Sequence, residues 1–203
     1  MRPFLIAFFI LFLVKLDAQY EFDQGTFRFY VSAGLNTSQM GNDSLGGFNK
    51  WGPTAGIGGY FMISDQFSTN LEINYTMRGA RGYVFDEFNR SRLYHRYIGL
   101  DYIEAPIFLS LHDRNRASIG AGVVLASLIQ SSQALNWKNI DEATPLKYKP
   151  IDIGFLLNAN LYFKEQFAFN LRFTHSLVPA NESHPDYANH YHSVLSVRGI
   201  MMF

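Results

Sequence analysis

From Phe27 onward the chain alternates between apolar and polar positions, and eight stretches of eleven to thirteen residues keep that period without a break: 27–37, 51–63, 67–78, 100–111, 116–127, 151–163, 167–178 and 191–203. A period of two is the signature of a pleated strand with one apolar face. The last stretch shows it most plainly. Tyr191, Leu195, Val197, Met201 and Phe203 fall on one side, and His192, Ser196 and Arg198 on the other. No segment after the N-terminus has a helical period, so the pattern predicts an all-β fold.

The connections alternate too. Ser64-Asp-Gln66, His112-Asp-Arg-Asn115 and Lys164-Glu-Gln166 are short polar turns of the hairpin kind, whereas 38–50, 79–99, 128–150 and 179–190 are long and rich in Gly, Pro, Asn and Arg. An up-and-down meander of eight strands then gathers the short turns and the chain end at one rim and every long loop at the other. A short motif recurs, Asp65-Gln-Phe-Ser-Thr-Asn-Leu71 and Glu165-Gln-Phe-Ala-Phe-Asn-Leu171, and each copy opens a strand after a tight turn. Equivalent hairpins account for it.

Alternation does not say which face looks inward, because a soluble lipocalin-like barrel also alternates, with its apolar side in the lumen. Residue types decide. One face carries Phe29, Val31, Leu35, Ile57, Leu71, Ile73, Ile107, Leu109, Val123, Leu125, Ile153, Leu157, Leu171 and Phe173 with no charge among them. The other carries Arg28, Glu72, Arg78, Glu104, Asp152, Arg172 and Arg198, interleaved with Asn70, Asn74, Asn158, Asn160, Asn170 and the glycines 34, 56, 58, 120, 122 and 154. Small residues suit a crowded concave wall, and the lysines (15, 50, 138, 147, 149, 164) fall outside the predicted strands, unlike a solvated outer face. The polar face therefore lines the lumen and the apolar face meets lipid.

Strands of about twelve residues tilted near 40° span roughly 30 Å, enough to cross the hydrocarbon layer. Phe27, Phe61, Phe67, Phe163, Phe167 and Phe203 cluster at the short-turn rim, and Trp51, Tyr75 and Tyr191 at the loop rim, as interfacial belts require. At the other end of the chain, Met1–Val14 is one basic residue followed by an apolar run of signal-peptide length, with cleavage expected after Ala18. This divides the chain into a leader, 1–18, and a barrel domain, 19–203.

Composition removes some functions. Lys plus Arg and Asp plus Glu are 17 each, so nothing marks a nucleic-acid partner, and the lack of cysteine excludes disulfides and thiolate metal sites.

Several short motifs carry a family likeness: Gly34-Leu-Asn36, Gly56-Ile-Gly-Gly-Tyr-Phe61, Leu71-Glu-Ile-Asn-Tyr75, Tyr102-Ile-Glu-Ala-Pro-Ile107, Gly120-Ala-Gly122, Asp152-Ile-Gly154 and the terminal Phe203. Over 27–203 the chain resembles the PorT-like family of small outer-membrane β-barrels. The resemblance implies an eight-stranded antiparallel up-and-down transmembrane barrel in a Gram-negative outer membrane, with short periplasmic turns and long extracellular loops. It also implies a part in secretion or envelope assembly, and a terminal Phe of the kind read by the barrel-insertion machinery. Pro106 strains this pattern, since it has no N–H for a ladder, so a bulge or a long hydrogen bond is expected there.

Two groups of residues are candidates for function. Glu72, Glu104, Arg172 and Arg198 count to similar depths from the strand ends, so they are expected to meet across the lumen, with Arg28 and Asp152 completing a charge network that fills it. Arg81, Arg90, Arg92 and Arg96 lie in the second long loop and are expected to form a basic rim toward lipopolysaccharide phosphates. His175 and Ser193 are the candidates for a lipid-modifying enzyme, and His184, His190 and His192 for a metal site. Neither set shows an acidic orienter or a second shell, so no enzyme activity, cofactor or metal is expected. The partners expected are outer-membrane lipids, lipopolysaccharide among them, and proteins of the envelope or of a secretion machine. The competing functions are a narrow passive porin, a lipid A-modifying barrel enzyme and a soluble lipocalin-like carrier.

Overall fold

The computed structural model describes residues 27–41, 45, 47–85, 92–113, 116–136, 138–139, 147–164, 166–181 and 189–203. The leader at 1–18, Arg90 and His184 lie outside the described residues. The strands are β1 (Phe27–Gly41), β2 (Lys50–Met62), β3 (Phe67–Phe85), β4 (Arg92–Asp113), β5 (Ala117–Leu135), β6 (Lys138–Asn139), β7 (Ile151–Lys164), β8 (Phe167–Ser176) and β9 (Tyr191–Met202). Each long strand pairs antiparallel with its sequence neighbour, and β9 returns to β1 through Tyr30↔Met202 to Gly41↔Tyr191, which closes a ring of eight. The two-residue β6 only lengthens the hairpin above β5. The described residues hold no helix.

The faces divide as the residue types require. Phe29 is 63% exposed on the outside of the ring, and Ile57, Leu71, Ile107, Leu109, Ile119, Val123 and Leu157 are exposed with it, whereas Glu72, Arg78, Asn158, Arg172 and Arg198 are buried inside. The core of this molecule is its lumen. At the short-turn end Tyr30, Tyr60, Met62, Tyr162, Ile200 and Met202 pack together, and at the loop end Met40, Leu45, Ile98, Leu100 and Tyr102 do. Glycines leave room for these rings: a Cβ at Gly58 would stand 2.6 Å from Cζ of Tyr30.

Four points refine the expected arrangement. First, residues 79–85 and 92–99 are strand and not loop. β3 and β4 stay paired from Gly79↔Gly99 to Phe85↔Arg92, and β5 extends to Leu135 beside them. Part of this extension is still buried through Ala80 and Ile98 while Arg81 and Tyr83 are exposed, so the ladder continues where the unbroken apolar alternation ends. Second, of the two outcomes expected at Pro106, the bulge is absent and the ladder is instead interrupted. The β3–β4 register runs to Leu71↔Ile107 and resumes unshifted at Asn74↔Glu104, so the pairs around the proline are simply skipped. The register shifts of this wall lie higher, at Asp101/Tyr102 against β5 and at Val84/Phe85 between β3 and β4. Third, Lys50 is the first residue of β2 and is buried. Its Nζ donates to the Trp51 carbonyl at 3.1 Å and lies 5.1 Å from the centre of the Tyr97 ring. Fourth, the end of the third long connection pairs with the start of the last one. Tyr148 bridges Asn181, Lys149 N–H donates to the Ala180 carbonyl at 2.7 Å, and Asn181 is buried.

Candidate functional site

The polar faces of β3, β8 and β9 place Glu72, Arg172 and Arg198 in the lumen, and the three meet. Arg172 grips the carboxylate with both terminal nitrogens, Nη2 to Oε1 and Nη1 to Oε2, each at 2.7 Å. Arg198 Nη1 reaches Oε2 at 3.2 Å. Tyr30 donates its hydroxyl to Oε1 at 2.6 Å and Asn74 its amide to Oε2 at 2.8 Å. Asparagines hold the arginines from behind: Asn158 Oδ1 accepts from Arg172 Nε at 3.0 Å, and Asn170 Oδ1 from Arg198 Nε at 2.8 Å. Every oxygen of Glu72 is thus committed, as a buried carboxylate demands.

Glu104 does not join this group, contrary to the count from strand ends. It sits opposite Asn74 in the register, one inward position above Glu72, and belongs to a second cluster nearer the loop end. There Arg78 donates from Nε to Glu104 Oε1 at 2.8 Å, from Nη2 to the same oxygen, and from Nη1 to Asp152 Oδ2 at 2.8 Å. Ser176 donates to Asp152 Oδ2 at 2.7 Å, and Tyr102 lays its ring 5.0 Å from the Arg78 guanidinium carbon. The count failed because strands in a sheared barrel are staggered, so positions equally far from their own ends lie at different depths. Arg78 was on the correct face in the sequence but at the end of its predicted strand, which hid its role. The longer β3 is what makes it an interior residue.

The remaining candidates separate from these clusters. Arg28 is half-buried at the short-turn end, opposite Tyr60 in the β1–β2 register. Below the Glu72 cluster, Ser68 Oγ and His112 Nε2 lie 2.8 Å apart, and Asn70 Nδ2 donates to Ser110 Oγ at 3.1 Å. Arg81 is exposed on β3, with Nε 3.4 Å from Nε2 of His95, and Arg96 is half-buried on β4. Arg92 begins β4. His192 is buried inside the barrel with its ring 5.8 Å edge-on to Tyr102, and His190 donates its backbone N–H to Asn181 at 2.8 Å. On the outer face His175 Nδ1 and Ser193 Oγ are 2.9 Å apart, paired across β8 and β9.

Charged groups packed in this way can hold a barrel's cross-section in one arrangement. The structure superposes on that of Neisserial surface protein A (NspA) with a TM-score of 0.56 at 14% identity, over 86% of this chain and 97% of that one. The attachment invasion locus protein Ail of Yersinia pestis gives 0.49 at 12% identity, over 89% and 100%. The outer membrane protein OprG of Pseudomonas aeruginosa gives 0.49 at 12% identity, over 92% and 99%. A search of curated proteins found no match. The family description of an outer membrane protein beta-barrel domain fits residues 17–181, most of the chain, and the protein belongs to that outer-membrane family.

Proposed function

We propose that this protein is a non-enzymatic barrel whose lumen is closed by its own side chains, so that it acts through its rims and not through a pore. The observation that carries the reading is the pair of buried clusters, Glu72 with Arg172 and Arg198, and Arg78 with Glu104 and Asp152, stacked along the axis of an eight-stranded ring. Barrels of this strand number are just wide enough for side chains to fill. The free space beside Tyr30, Tyr60, Asn70, Glu72 and Tyr162 is about 20 Å³, the room of a single water. A narrow porin is the competing reading. In planar bilayers the purified protein should give no steady ohmic conductance, and a stable porin-sized step at neutral pH would replace the closed barrel with the pore.

With the lumen closed, the loop rim is the working surface, as in other scaffolds that present loops on a rigid frame. Arg81 and Arg96, on a hairpin that outruns its neighbours, with Arg90 and Arg92 in the same segment, suit the phosphates of lipopolysaccharide. The PorT-like motifs point the same surface toward a component of secretion or envelope assembly. Changing Arg81 and Arg96 to Glu should lower the lipopolysaccharide that co-purifies with the barrel. Unchanged co-purification would remove the basic rim from the account.

A further inference from the structure

The outer wall carries a concavity that the closed-lumen reading does not use. It has a volume of about 540 Å³, and its walls include Leu109, Leu157, Phe173 and Leu195, with Ala121 and Ala159 leaving the wall low between larger neighbours. These residues follow two rows across the sheet, Leu109↔Ala121↔Leu157↔Phe173↔Leu195 and Leu111↔Ile119↔Ala159↔Leu171. The groove rises from Leu109, four residues from the Asp113 turn, to Leu195, eight residues from Phe203. It is continuous with the apolar belt around it, so what fills it is lipid.

The next row up is Phe155↔His175↔Ser193, and here the belt is broken by a polar pair. Ser193 stands ten residues above the terminal Phe203, about 25 Å along the barrel axis for a strand tilted near 40°. That is the height of the apolar band of such barrels, and so the level at which outer-leaflet acyl chains join their headgroups. His175 is held in place by the rings of Phe155 at 5.6 Å and Phe173 at 6.4 Å. Its Nδ1 is 2.9 Å from Ser193 Oγ. If the serine donates to Nδ1, the Nε2 proton of His175 is left over, and if Nδ1 donates, the serine proton is left over. Either tautomer leaves one donor in the row above the apolar groove, with His175 half-buried and Ser193 9% exposed, at a depth where water is scarce and acyl carbonyls are abundant.

We propose that this groove is a specific seat for one acyl chain of an outer-leaflet lipid, lipid A, whose ester or amide carbonyl accepts from the His175–Ser193 pair. The seat lies on the opposite face of the wall from the charged lumen, so it stands whether or not the lumen conducts. The barrel, refolded in detergent without lipid, is titrated with purified lipid A and with phosphatidylethanolamine and read by native mass spectrometry. The wild type should take up one lipid A in preference to phosphatidylethanolamine. Filling the groove with Ala121→Leu and Ala159→Leu, or removing the head pair with His175→Leu and Ser193→Ala, should each weaken that uptake at least tenfold. All four positions belong to the outer face of the wall, Ser193 being buried there, and unchanged heat-modifiable migration on gels confirms that each variant is folded. The Arg81 and Arg96 reversals leave the groove intact, so a loss confined to them reports the basic rim. Equal uptake by the filled-groove variant, or several equivalents of either lipid with no preference, reduces the seat to ordinary annular contact. Lipid recovered without an acyl chain would overturn retention in favour of hydrolysis.

Discussion

Glu72 accepts hydrogen bonds from Arg172, Arg198, Tyr30 and Asn74, whereas among the described residues Arg78 is the one cation paired with both Glu104 and Asp152. The consequences of substitution follow from that difference. Arg78→Gln leaves two carboxylates buried without a cation and should cost about 3–5 kcal/mol. Arg172→Gln leaves Glu72 with Arg198 and should cost less, about 1.5–3 kcal/mol, the worth of hydrogen bonds to a charged group. Glu72→Gln and Arg172→Gln share a contact, so their effects should be non-additive by about 1 kcal/mol or more. Glu104→Gln and Arg198→Gln act in different clusters and should add to within about 0.5 kcal/mol. Urea midpoints in micelles measure all of these. A coupling between Glu104 and Arg198 as large as that between Glu72 and Arg172 would show that the two clusters are one.

At the scale of strands, what could be read in advance depended on where each element sits. β7, β8 and β9 cross the apolar layer for nearly their whole length, and alternation located them to within a residue or two. β3 is 19 residues and β4 is 22, well beyond what the layer needs, and their outer parts were missed. Tyr83, Tyr94, His95 and Tyr97 in that region carry strand preference, but charge and glycine on both faces hide the period. Stagger was invisible for a different reason. It is a property of pairing, so the depth of Glu104 could be learned only from Asn74↔Glu104, and the partner of Arg78 only after β3 was known to continue past it. The same topology predicts labelling from one side. Cysteines at Gly47, Lys147 and Asn189, all exposed near the loop rim, should react with an impermeant thiol reagent on intact cells, and cysteines at Asp65, Asp113 and Arg116, at the short turns, should not. Asn181 is a poor reporter because it is buried. The opposite labelling pattern would invert the barrel in the membrane.

For the molecule as a whole, the two clusters act as two obstructions in series. One carboxylate faces two guanidiniums around Glu72, and one guanidinium faces two carboxylates around Arg78, so the excess charges of the two clusters cancel along the lumen. Each cluster can be removed as a set without stranding a charge inside itself. Glu72→Ser, Arg172→Ser and Arg198→Ser together empty the lower level, and Arg78→Ser, Glu104→Ser and Asp152→Ser together empty the upper one. The ring itself does not depend on them, because the wall is a closed ladder whose outer face is anchored in lipid. Obstructions in series give a definite expectation: either triple variant alone should remain non-conducting, since the other cluster still blocks the path. The sixfold variant should open small, frequent conductance steps limited by the packing at the two ends, around Tyr60 and Met62 below and Ile98 and Leu100 above. Conductance from one triple variant alone would mean that a single cluster carries the whole closure. A silent sixfold variant that inserts normally would move the closure to the apolar packing at the rims.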